Sequence, residues 1–78
     1  MTDYDSIWRM QDEVRAVVNT VVGENIWNLA YSPSRQVIEL ELTVHLEEEV
    51  IGELCSQFSI PADYDGEGTH GTKITIYP

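Results

Sequence analysis

Carboxylates are the groups from which any chemistry on this chain must be argued: fourteen Asp and Glu stand against four Lys and Arg, with only His45, His70 and Cys55 beside them. General acid–base catalysis needs two carboxyl groups held in different environments across a cleft, and no pairing along the chain marks such a cleft. Zinc binding is poorly served, because no C-x-x-C or H-x-x-x-H spacing occurs. Cys55 falls on an apolar helical stripe, where a thiol packs rather than reacts, and His45 is a helix length away, leaving His70 as its only conceivable base. The sharpest local pattern is Asp63-Tyr64-Asp65-Gly66-Glu67-Gly68, with oxygens at positions one, three and five and glycine at six, as in the first half of an EF-hand loop. Position twelve is Ile74, where calcium requires a bidentate Glu, so a solvated turn is the expected state of this segment. No catalytic residue, metal or cofactor is expected, and the chain reads as a binding protein rather than an enzyme.

The acids must be positioned by a small scaffold. At 78 residues the chain is one domain, 1–78, with a single-layer core. Ile38, Leu40, Leu42 and Val44 alternate with Val37, Glu39, Glu41 and Thr43, which predicts a half-buried central strand over Gln36–Val44. Ile7, Met10, Val14, Val17, Val18 and Val21 recur at three- and four-residue steps and predict a helix over Asp5–Val22, with N-cap candidates at Asp3, Asp5 and Ser6 and a C-terminal stop at Gly23. Trp8 falls on its flank, half exposed.

Ile26–Tyr31 reads as a strand joined to the central one through Ser32-Pro33-Ser34-Arg35, with Leu29 opposite Ile38 and Trp27 opposite Leu40, both inward, and Ile26, Asn28 and Ala30 outward. Leu46–Phe58 reads as a second helix burying Val50, Ile51, Leu54, Cys55 and Phe58. Gly52 lies off that stripe, at a cost of up to ~1 kcal/mol against alanine or to leave room for an approaching group. Residues 61–71 read as a flexible acidic loop and Thr72–Tyr77 as the last strand, with Thr72, Ile74 and Ile76 inward. The expected fold class is α+β, in the order α-β-β-α-β, a three-stranded sheet with two helices packed on one face. A crossover through the second helix would bring the last strand in parallel to the central one, either paired antiparallel with Ile26–Tyr31 or directly beside Gln36–Val44. The acids would then form separate clusters: Glu24 with Glu47, Glu48 and Glu49 at one end, Glu39 and Glu41 on the open face, and Asp63, Asp65 and Glu67 at the far end.

The formal charge of −10 is more than solubility needs. It disfavours direct binding to nucleic acid or anionic membrane and favours basic partners. One cysteine, an acidic start and no long apolar run suggest a cytoplasmic protein. Glu39 and Glu41 are two residues apart on a strand, ~6.6 Å, and Glu49 and Glu53 one helical turn apart, ~6 Å. Those spacings are similar to successive phosphates on a nucleic-acid strand, so such a surface could occupy a groove lined by Arg and Lys. The expected partner-binding residues are Glu39, Glu41, Glu47, Glu48, Glu49, Glu53, Asp63, Tyr64, Asp65 and Glu67, with Tyr4, Trp8 and Tyr64 as aromatic anchors.

In size, charge and want of catalytic motifs the chain resembles the small acidic inhibitors of phages and mobile elements, the DNA-mimic and anti-CRISPR proteins. The resemblance implies an inhibitor that binds a basic nucleic-acid-binding protein or complex. Those inhibitors share no fold or signature, so it assigns no residue. The competing expectation is a small oligomeric or adaptor domain with the salt-adapted surface of a halophile, dimerising through a sheet edge or the outer face at Ile26, Ala30 and Val37.

Overall fold

The computed structural model describes residues 4–78. Its elements are α1 (Tyr4–Val22), β1 (Ile26–Ser32), β2 (Val37–Leu42), α2 (Glu48–Gln57), β3 (Ala62–Glu67) and β4 (Thr72–Ile76). The class is α+β, but the sheet has four strands in the order β1-β2-β4-β3, every neighbouring pair antiparallel. Both helices cover one face, where Ile7, Val14, Val18, Leu54 and Phe58 meet Ile38, Leu40, Leu42, Ile74 and Ile76 in one core. The N-cap candidate Asp3 lies outside the described residues, and Gly23 takes φ +80° just past α1, as a left-handed helix stop requires.

The expected acidic loop is therefore half strand. Asp, Gly and Glu are poor strand formers, so β3 is held by its pairing with β4 and by its two ends rather than by propensity. The Tyr77 N–H donates to the Pro61 carbonyl at one end, and the Gly68 N–H donates to Gly71 at the other. Chain direction changes accordingly. The α2 crossover delivers β3, parallel to β2 but one place removed, and β4 returns into the gap antiparallel to both. The parallel last strand expected from the sequence is corrected by this extra hairpin.

The β1–β2 register also differs. Leu29 faces Leu40 and Tyr31 faces Ile38, two steps from the expected pairing, because the turn is Pro33–Gln36 with Gln36 at φ 57°. A slip of two keeps Leu29 inward. A bulge between Ile26 and Asn28 then reverses the end of the strand, so Ile26 packs on the core and Trp27, expected inward, is 56% exposed.

Gly71 marks a close crossing of two backbone segments. A Cβ there would lie 2.4 Å from the carbonyl oxygens of both Leu42 and Val44, so only glycine lets the β3–β4 turn pass the end of β2.

Candidate functional site: an acidic surface with two clamped carboxylates

Residues 36–72 hold nine of the fourteen acids and no Lys or Arg. The fold gathers this half of the chain into β2, α2 and β3. The cluster expected at the far end is drawn out along β3, with Asp63 at one end and Glu67 at the other. Because β3 runs parallel to β2, Glu67 arrives beside His45 at the start of α2 rather than at the far end. On the open face, Asp63 and Glu39 both pair with Thr75 of β4, from its two sides. Two carboxylates thus flank one strand at ~10 Å, two strand spacings.

Three of the expected binding acids are engaged internally. Glu67 accepts hydrogen bonds from the Tyr64 hydroxyl, the Thr72 hydroxyl and His45 Nδ1, the last at 2.6 Å. These donors, Tyr64 first and then His45, hold its carboxyl below the ordinary glutamate range. The bond to Glu67 in turn pushes the Tyr64 phenol up. Thr72, fully buried, receives the Leu46 N–H and so joins this network to the approach to α2. Glu41 accepts the His70 backbone N–H and its ring Nδ1 at 3.0 and 2.9 Å, and His70 first, with Lys73 adding, lowers its pKa. The His70 ring also stacks on Trp27, ring centres 3.7 Å apart and nearly parallel. Glu39 pairs with Arg35 at 2.9 Å, both partners exposed.

Both histidines of the chain thus fasten the β3–β4 turn to β2 and to the residues that follow it. Sequence reasoning assigned neither of them this role. The only signal was that each had acids available and no metal-type spacing.

The remaining acids, Glu47, Glu48, Glu49, Glu53, Asp63 and Asp65, make no side-chain hydrogen bond or ion pair among the described residues, and all are exposed. Glu47 precedes α2 without capping it through its side chain, and Glu48 and Glu49 fill the first turn, where negative charge suits the helix dipole.

The EF-hand-like spacing does not converge on a centre. Asp63 lies on the open face opposite Thr75, while a bulge at Asp65 and Gly66 turns Glu67 to the helix side. Among the described residues no group of three or more His, Cys, Asp or Glu is arranged to hold a metal. Cys55 is half-buried, and burial, with the charge of Asp63 adding, pushes its thiol up, away from the thiolate that nucleophilic chemistry needs. Among the described residues no helix is long and apolar enough to cross a membrane.

Two hollows flank these elements. One, of about 610 Å³, runs between α2 and β3 and is lined by Leu46, Glu48, Ile51, Gly52, Tyr64 and Glu67. The other, between α1 and β1, includes Arg15, Glu24 and Trp27. No protein-family model, curated protein or solved structure matches the chain.

Proposed function

We propose that the chain is a non-catalytic inhibitor, of the DNA-mimic or anti-CRISPR kind, whose carboxylates occupy a basic nucleic-acid-binding surface of a target protein. The observation that carries this reading is the division of labour among the acids. Glu41 and Glu67 fasten the fold, whereas Glu47, Glu48, Glu49, Glu53, Asp63 and Asp65 stand exposed on α2 and β3 with no cation of the chain beside them in sequence between residues 36 and 72. Six unneutralised carboxylates on so small a surface repel one another, a cost that binding to Arg and Lys removes.

The test is a pull-down from nuclease-treated host lysate, comparing the native chain with a variant carrying Glu48→Gln, Glu49→Gln, Glu53→Gln, Asp63→Asn and Asp65→Asn. A nucleic-acid-binding protein retained by the native chain, released by salt and absent from the variant is the expected result. Retention of the same proteins by both chains overturns the reading.

A second reading, a self-associating adaptor, draws support from β1. This edge strand, Ile26–Ser32, carries no charge and borders the open face of the sheet. Light scattering that shows a monomer at every concentration removes it.

A further inference from the structure

We infer that β3 and the groove beneath it are a docking site for an extended, basic segment of the target protein, added to the sheet as a fifth strand. The inference rests on the inhibitor reading and gives it a geometry.

Among the described residues β3 is an edge, paired with β4 alone. The Tyr77 N–H to Pro61 carbonyl bond fixes which backbone groups are spare. In an antiparallel ladder bonded and non-bonded pairs alternate. Pro61 and Tyr77 form a bonded pair, so Ala62 and Tyr64, opposite Ile76 and Ile74, direct their N–H and C=O groups to the open edge. A strand laid along this edge would place alternate side chains over the α2–β3 groove and on the open face. The groove offers Leu46, Ile51 and the ring of Tyr64, which is 48% exposed, and it is open at Gly52, where a Cβ would meet nothing within 4 Å. On the open-face side the same strand would pass Asp63, with Asp65 exposed in the bulge beyond it, and Glu48 and Glu67 rim the groove. The matching occupant alternates apolar and basic residues.

Charge also decides between occupants. A second copy of β3 would bring Asp63, Asp65 and Glu67 against their own images, which exposed acids on an edge strand serve to prevent. The same acids admit a cationic strand.

The probe is the capped heptapeptide Lys-Val-Lys-Val-Lys-Val-Lys, set beside Lys-Lys-Val-Val-Val-Lys-Lys of equal composition and charge. The variant is Ala62→Pro, which removes an edge-facing N–H and no ladder bond. Gly52→Phe, which fills the groove from open space, provides an independent block should Ala62→Pro lose the fold. Binding is read at low salt by fluorescence anisotropy and by slowed exchange of the Ala62 and Tyr64 amides.

The expected result is that the alternating peptide binds the native chain about tenfold tighter than it binds either folded variant, and about tenfold tighter than the block peptide binds the native chain. The two edge amides become protected. Equal binding of both peptides, undiminished in the variants, overturns the strand-addition site while leaving a purely electrostatic inhibitor intact. Binding of neither peptide overturns the site as well, and the pull-down then judges the inhibitor reading separately.

Discussion

Glu67 shows how an acid that looks like part of a binding cluster can belong to the fold. Its carboxylate gathers Tyr64, Thr72 and His45, and its pKa is lowered as a result. A carboxylate whose folded pKa is depressed contributes stability that is fully present above its unfolded pKa and is lost as pH falls through the folded value. General relief of the −10 charge works in the opposite direction, raising stability as acids protonate. The comparison must therefore be with Glu67→Gln across a pH series of melting curves. The native chain is expected to exceed the variant near neutrality, with the gap closing below about pH 4; a gap independent of pH would mean that the hydrogen bonds and not the charge hold the turn. Backbone geometry sets two further outcomes. Gly71→Ala forces a Cβ against two carbonyl oxygens and should cost about 2 kcal/mol or more in urea unfolding. Gln36→Gly relieves a left-handed φ in the β1–β2 turn and should gain up to ~1 kcal/mol.

Among the elements, those with strong periodicity were legible in the sequence. Ile7, Val14 and Val18 pack as the α1 pattern requires, and Ile38, Leu40 and Leu42 face the helices as the alternation of β2 requires. β3 was illegible for a physical reason. Asp63, Asp65, Gly66 and Glu67 are poor strand formers by local preference, and their strand exists because β4 pairs with them and His45 and Pro61 tie the neighbouring ends. The outward Trp27 was missed because a one-residue bulge leaves no mark on hydrophobic spacing. The candidate site was legible as composition, in the run of acids, but its split into clamping and unpaired groups depends on where His45 and His70 fall in three dimensions. For α2 the expectation is simple. Gly52 is exposed and a Cβ there would meet nothing within 4 Å, so Gly52→Ala should raise stability by up to ~1 kcal/mol on thermal or urea unfolding. A loss would show that the groove closes on α2 in solution.

On the scale of the whole molecule, charge is spent unevenly. Arg9 and Arg15 lie on α1, Arg35 in the β1–β2 turn and Lys73 on β4, leaving α2 and β3 uniformly acidic. On the proposed function, such a surface would associate fast and salt-sensitively with a basic partner and would resist self-association through its own acidic edge. The measurement that tests this most directly is displacement of labelled nucleic acid from the protein captured in the pull-down, run with the native chain and with the variant neutralised at Glu48, Glu49, Glu53, Asp63 and Asp65, each also melted. The expected result is displacement by the native chain, weakening as salt rises, and none by the variant, whose melting temperature is equal or higher because self-repulsion has fallen. Displacement by both chains, or a variant that fails only because it has unfolded, would contradict the assignment of these carboxylates to the partner rather than to the fold.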